Sequence, residues 1–153
     1  HNLAQAGLRG GFRVLRSHTI EANAEQAAAL RLGLGSPLLC IQMLGEGEGF
    51  PLQVSERYFP LPRFERLADM VRRSGSITEA FMEHGVSDYV RQESRISARL
   101  PDPPVADLLE QADARPVLLV SSVNVDTEGT PIEFALAWFA GDRVTLTVTH
   151  HDN

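Results

Sequence analysis

The chain has 153 residues, of which 43% are hydrophobic and 22% charged, and its formal net charge at pH 7 is −6. These values are typical of one globular domain with a single core, and the acidic charge argues against a nucleic-acid-binding surface on this chain itself. The only cysteine, Cys40, excludes a disulfide within the chain, and no segment is long and apolar enough to span a membrane, so we expect a cytoplasmic protein with no membrane partner.

The first predicted elements are a strand and a helix. Residues 1–10 are polar and glycine-rich, and we expect them to form a lead-in segment to a domain over residues 11–150. Residues 12–22 alternate enough to predict a strand. Asn23 is suited to cap a helix over residues 24–32, whose alanines and leucines favour helix.

A β-hairpin is predicted over residues 37–60. It begins at Pro37 and has a glycine-rich tip over residues 45–49. Glycine-rich loops that bind phosphate lie between a strand and a helix, whereas this one lies between two strands and carries two glutamates. We therefore predict a mobile hairpin tip and regard phosphate binding there as the weaker alternative.

Two helices are predicted next, over residues 64–73 and from Ser76 to Gly85. Ser76 and Glu79 have the spacing of a capping box, with a serine at the N-cap and a glutamate three residues later. Two roles are open for Ser76: it only caps the helix, or the helix N-terminus beside it binds an anion or an oxygen atom. From these residues alone the capping role is favoured.

A second hairpin over residues 116–143 repeats the first. Pro37 matches Pro116 and Pro51 matches Pro131, and the strand and helix upstream of each hairpin correspond as well. We therefore predict a tandem duplication of strand–helix–strand–turn–strand, followed by a last strand over residues 144–148. Because hairpins require antiparallel pairing, the predicted fold is an α+β protein with an antiparallel sheet of six or seven strands and helices on one face.

The sequence offers no catalytic or metal-binding pattern. None of its five histidines is spaced like a metal ligand, and neither a Ser/His/Asp pattern nor a close pair of carboxylates stands out. Cys40 lies in an apolar strand, so a small buried side chain is a better interpretation than a nucleophile. We therefore predict no catalytic residue, no metal and no cofactor.

Alternation along the second strand of each hairpin separates an apolar face from a small and polar one. The small and polar face carries Gln53, Ser55, Arg57, Glu133, Ala135 and Ala137. This face either meets water, as one side of an antiparallel sheet often does, or lines a polar cavity in which Arg57 and Glu133 bind a ligand. The alternation alone favours the interpretation that this face meets water.

Motifs over residues 27–148 resemble, in order, the UTRA effector-sensing domain of GntR-type bacterial transcriptional regulators of the HutC subfamily. They lie at Leu30–Pro37, Gly49–Pro60, Ser76–Gly85 and Gly129–Arg143. Four further segments are similar to phosphonate-operon regulators: Ser55–Phe59, Arg95–Pro101, Val123–Asp126 and Phe139–Arg143. Each motif is short, and the resemblance is specific through their shared order over most of the chain.

This resemblance implies both a fold and a role. The fold is chorismate lyase-like, an antiparallel sheet of about six strands with helices. The role is to bind a small-molecule effector and to form a homodimer, with operator DNA bound only by a winged helix-turn-helix domain expected N-terminal to this chain. Two alternatives are open: an enzyme of the chorismate lyase type, and a dimerisation module whose pocket is vestigial.

The binding residues of the family correspond only in part to residues of this chain. Sugar-phosphate-sensing members hold the phosphate with two arginines, whose positions here are Met43 and Gly45. A family glutamate falls on Ser55 and a family tyrosine on Phe139. These differences argue against a phosphorylated sugar as the effector.

Other binding positions are retained. They are Ser76, with Thr78 close by, and Glu133, and they favour the cavity interpretation. Arg57, on the same face as Ser55, is our candidate for the replacement cation, since a phosphonate or other small anion needs one. If no arginine faces the pocket, a less charged ligand is expected. As a ligand contact, Glu133→Gln should weaken the effector response and leave folding largely intact.

Overall fold

A computed structural model describes residues 11–150 of the chain, and the predicted lead-in over residues 1–10 lies outside them. Within the described residues the chain forms ten elements: β1 (Phe12–Glu21), α1 (Ala24–Leu30), β2 (Pro37–Gly47), β3 (Phe50–Pro60), α2 (Leu67–Ser74), α3 (Ile77–Glu83), β4 (Tyr89–Arg99), α4 (Pro103–Leu109), β5 (Val117–Asp126) and β6 (Pro131–Ala140). No helix within residues 11–150 is long and apolar enough to cross a membrane.

The strands form one antiparallel sheet in the order β1-β2-β3-β6-β5-β4. The element order β1-α1-β2-β3 recurs as β4-α4-β5-β6, and the strand order reads the same from either edge. The two helices of the repeat are also alike, since α1 and α4 each have seven residues and each ends at a left-handed residue, Arg31 and Glu110. The topology thus agrees with the duplication predicted from the two hairpins.

Helices cover both faces of the sheet. Odd-numbered residues of β2 such as Ile41 pack in a cluster with Val71 of α2 and Phe81 of α3. Even-numbered residues pack on the other face, Leu38 against α1 and Leu44 against α4. The prediction of helices on one face was therefore wrong in this detail. Each repeat places its own helix on one face, and the segment between the repeats places α2 and α3 on the other.

Each hairpin contains a bulge at the equivalent place. Gly45 pairs with Gln53 and the next pair is Glu46 with Pro51. In the second hairpin Asn124 pairs with Glu133, and the next pair again skips one residue of the return strand. The Gly45–Gln53 pair of the first repeat therefore corresponds to the Asn124–Glu133 pair of the second.

The predicted last strand over residues 144–148 is not formed. This segment has no regular secondary structure. Its apolar side chains Val144 and Leu146 instead pack against Val120, Ala137 and Phe139 on the face that carries α2 and α3. The segment does bury apolar side chains, but they cover a face of the sheet, and the backbone does not add a strand to its edge.

Candidate functional site

A cavity of about 180 Å³ lies between the sheet and the start of α3. All six strands contribute a side chain to its wall, and the segment that begins α3 closes it. The lining residues are Phe12, Met43, Arg57, Gly75, Ser76, Ile77, Thr78, Tyr89, Arg91, Asn124 and Glu133. The sheet therefore brings together residues that are far apart in the sequence, at the middle of one of its faces.

A chain of hydrogen bonds crosses the floor of this cavity. The guanidinium of Arg57 donates to Glu133 Oε2 at 3.0 Å, and Asn124 Nδ2 donates to Glu133 Oε1 at 2.8 Å. Arg91 Nε donates to Asn124 Oδ1 at 2.8 Å. A second contact fixes Arg57, because its Nε donates to Ser55 Oγ at 3.2 Å. Each polar group of this chain holds its neighbour in place, so the floor is preorganised.

The floor carries a net positive charge. The Arg57–Glu133 ion pair is largely withdrawn from water, with side-chain exposures of 12% and 2%. Arg91 adds a second guanidinium to the lining. Burial lowers the pKa of Arg91 from its usual value and Glu133 opposes this, but an arginine stays charged at neutral pH. Two cations and one carboxylate leave a net charge of one positive unit in the floor.

Three residues with hydroxyl groups, two at the start of α3 and one on β4, also line the cavity. Ser76 caps α3, because its Oγ accepts a hydrogen bond from the N–H of Glu79 at 3.1 Å. The capping box is only half formed, since the N–H of Ser76 donates to Ser74 Oγ at 3.1 Å and not to the glutamate. The hydroxyls of Thr78 and Tyr89 are 2.7 Å apart. Ser76, Thr78 and Tyr89 thus add hydroxyl groups to the wall that carries the two arginines.

Five of the eight predicted binding residues line the cavity: Met43, Arg57, Ser76, Thr78 and Glu133. The other three lie outside its wall. Ser55 is fully buried and acts on the site through Arg57, Gly45 is covered by the ring of Phe12, and Phe139 is buried in the cluster around Val120. Direct contacts from these three positions have no support in the geometry.

Sequence reasoning missed six lining residues, of which Arg91 matters most for charge; the others are Phe12, Gly75, Ile77, Tyr89 and Asn124. The alternation of β5 together with its pairing to β6 would have placed Asn124 beside Glu133. No such signal exists for Arg91, because a bulge between Arg91 and Glu93 changes the face of the strand at that point.

The described residues offer neither a metal-binding cluster nor a thiolate at neutral pH. Within residues 11–150 no group of three or more histidine, cysteine, aspartate or glutamate side chains could hold a metal ion. Burial raises the pKa of the Cys40 thiol to about 11, so it is not a thiolate at neutral pH. Cys40 packs among apolar side chains, as predicted.

Comparison with known proteins gives a family and a shared fold. A model of the UTRA domain matches residues 5–145. An uncharacterised HTH-type transcriptional regulator of Rhizobium meliloti (strain 1021) is 37% identical over 138 residues, which are 90% of this chain and 57% of that protein. The chain thus spans little more than half the length of this relative.

Two solved structures show the same architecture. The effector domain of PhnF from Mycobacterium smegmatis superposes with a TM-score of 0.83 at 24% identity, covering 95% of this chain and 90% of that one. The ligand-binding domain of a putative GntR-family transcriptional regulator from Bordetella bronchiseptica gives a TM-score of 0.84 at 24% identity, covering 92% and 90%. At these identities the likeness establishes the fold.

Proposed function

This chain belongs to the UTRA domain family, and from this we propose that it is the effector-binding domain of a GntR-type transcriptional regulator whose cavity takes a small anion. The observation that carries the proposal is the pair of arginines, Arg57 and Arg91, in one cavity with a single carboxylate, Glu133. Their excess positive charge is partly withdrawn from water, where a charge-assisted hydrogen bond to an anion is strongest.

A phosphonate is the effector class that we favour. The motifs shared with phosphonate-operon regulators support it, and so does the presence of two guanidiniums, each able to donate to two oxygens of a tetrahedral anion. The hydroxyls of Ser76 and Thr78 supply donors for a third oxygen. The volume of about 180 Å³ is below the roughly 300 Å³ at which ordinary ligand pockets begin, which disfavours a sugar phosphate.

The role of the whole protein is part of the same proposal. A winged helix-turn-helix domain N-terminal to this chain would bind operator DNA, and two copies of the present domain would form a homodimer in the cytoplasm. Effector binding would then alter the placement of the two DNA-binding domains. We propose a regulator and not an enzyme, since the relatives reported above are named as transcriptional regulators.

A thermal-shift experiment on this chain tests the proposal. We expect methylphosphonate and inorganic phosphate to raise the melting temperature, and glucose 6-phosphate to do so less. At a hundredfold excess over the dissociation constant the expected gain is about 2.7 kcal/mol, or roughly 5–10 °C for a domain of this size. If no anion shifts the melting temperature of the folded domain, the proposal is wrong and the vestigial dimerisation module becomes the better account.

A further inference from the structure

Gln53 in β3 is a buried polar side chain without a partner. Its exposure is 0%, and neither Nε2 nor Oε1 has a hydrogen-bond partner among the residues that the structure describes. A carboxamide buried in this way destabilises the fold. In native proteins such an unpaired group is usually explained by a functional role or by a partner such as a water molecule or an ion.

Gln53 lies on the face of the sheet that carries the cavity. It is on the same side of β3 as Arg57 and pairs with Gly45 of β2. A Cβ atom placed on Gly45 would lie 2.8 Å from Phe12 Cε1 and 3.4 Å from Gln53 Oε1. The Phe12 ring therefore rests on Gly45 next to the amide. Because Phe12 also lines the cavity, its ring separates the cavity from Gln53.

The internal repeat explains what Gln53 lacks. The Gly45–Gln53 pair corresponds to the Asn124–Glu133 pair, in which Asn124 donates to the carboxylate and both groups line the cavity. In the first repeat the partner strand offers a glycine, which has no side chain to pair with the amide. The first repeat thus keeps one polar half of a binding site and leaves its hydrogen-bonding capacity unused.

We propose that Gln53 forms a second subsite of the effector pocket, which opens when the Phe12 ring turns aside. The subsite takes a neutral group that both donates and accepts hydrogen bonds, a hydroxyl or a carboxamide, at the end of a short chain. The anionic head of the same effector lies at Arg57 and Arg91. Only this placement of the head rests on the proposed function. Phe12 packs against the cluster under α2 and α3, but it is only half-buried and begins an edge strand, so its ring is the part of the wall that we expect to move.

The cavity volume supports an extension of this kind. About 180 Å³ accommodates a small anion with little more, whereas an effector with a functional tail needs additional space. Movement of the Phe12 ring provides that space directly above Gly45, whose missing side chain leaves the amide of Gln53 accessible from the cavity.

The test compares two phosphonates that differ by one hydroxyl, propylphosphonate and 3-hydroxypropylphosphonate. By calorimetry the wild-type chain should bind the hydroxylated compound about tenfold more tightly, the value of one good hydrogen bond. Gln53→Leu should abolish this preference, keep the affinity for methylphosphonate within about twofold, and raise the melting temperature because two unpaired polar atoms are removed. Gln42→Leu, a half-buried glutamine on the other face of the sheet, should retain the preference.

A second measurement separates this inference from the proposed function. The side-chain NH2 resonances of Gln53, assigned with the Gln53→Leu variant, are followed during titration with the phosphonates and with propionamide, which has no charge. Equal binding of both phosphonates, or a preference that survives in Gln53→Leu, would overturn the subsite and leave the anion site standing. A shift with propionamide but with no phosphonate would support the subsite and contradict the anion site. No shift with any of these compounds would overturn the subsite.

Discussion

At the scale of single residues, the charge of the site depends on how each arginine is held. Arg57 has a carboxylate partner in Glu133, whereas Arg91 is held by the neutral side chain of Asn124. The charge of Arg57 is therefore partly compensated before any ligand arrives, and that of Arg91 is less so. An incoming anion should gain most from Arg91, one of the lining residues that the sequence did not indicate.

Replacing Arg91 therefore tests the electrostatics of the cavity. Arg91→Met keeps an unbranched, flexible stem and removes the charge, and we expect the affinity for methylphosphonate to fall about 10- to 100-fold. Arg95→Met is the matched control, since Arg95 lies on the opposite face of the same strand with 79% of its side chain exposed. Calorimetric affinities for the two variants decide the matter, and equal affinities would exclude Arg91 from the site.

Asp126 shows a second residue-scale effect, on stability. The N–H of Thr130 does most to lower the pKa of the Asp126 carboxyl below its usual value, and partial burial opposes it. The guanidinium of Arg63, 3.1 Å away, and the N–H of Glu128 lower the pKa further. The ionised carboxylate thus fixes the turn of the second hairpin, and its protonation should loosen that turn.

The sign of the pH dependence follows from the lowered pKa. A depressed carboxyl pKa contributes stability that is present above the usual value of about 4 and is lost as the pH falls through the folded-state pKa. We expect Asp126→Asn to melt below the wild type at pH 7, with the difference shrinking as the pH falls below about 4. Melting curves between pH 2 and pH 7 measure this, and a constant difference would show that the charge of Asp126 is not involved. Asp142→Asn, which removes an exposed ion pair with Arg115, should change the melting temperature little.

At the scale of elements, Arg143 joins the end of α4 to the first hairpin. Its guanidinium donates to the carbonyl oxygens of Leu109 at 2.6 Å and Glu110 at 2.9 Å, which end the helix, and to that of Pro51 at 2.8 Å in β3. The carbonyls of Leu109 and Glu110 lie at the end of the helix and have no partner within it, so a cation is well suited to them. The residue just before the segment that was predicted to form a strand thus fastens a helix to the sheet.

Arg143→Met should therefore weaken the whole fold. We expect a loss of about 2 kcal/mol in the free energy of unfolding, since charge-assisted hydrogen bonds to three carbonyls are lost. Denaturant titration measures it, with Arg115→Met as the control because Arg115 forms only an exposed ion pair. Equal stability of the two variants would show that water replaces the guanidinium at no cost.

The elements also show which parts of the fold were predictable. Proline at the strand starts and glycine in the turns marked both hairpins, and Gly129 adopts a positive φ of 80°, as its turn position requires. Alternation along β3 and β6 correctly placed Arg57 and Glu133 on one face. The position of Arg91 was not predictable, because a bulge interrupts the alternation of β4. The position of residues 144–148 was not predictable either, because alternation alone does not show whether a segment pairs with a strand or packs on a face of the sheet.

At the scale of the whole molecule, the site exists because the two repeats meet at β3 and β6. These strands are neighbours in the sheet although Arg57 and Glu133 are 76 residues apart in the sequence. The residues of the site could therefore be nominated from strand patterns, but their convergence depends on the pairing of the two return strands. The segment that joins the repeats then places Ser76 and Thr78 over the same point.

The measurement that tests our central claim most directly is a crystal structure of this chain with methylphosphonate. We predict phosphonate oxygens within about 3 Å of guanidinium nitrogens of Arg57 and Arg91, with the hydroxyl of Ser76 or Thr78 completing the contacts. Methylphosphonate bound instead at the exposed arginines of α2, Arg72 and Arg73, with the cavity unchanged at saturating ligand, would contradict the claim.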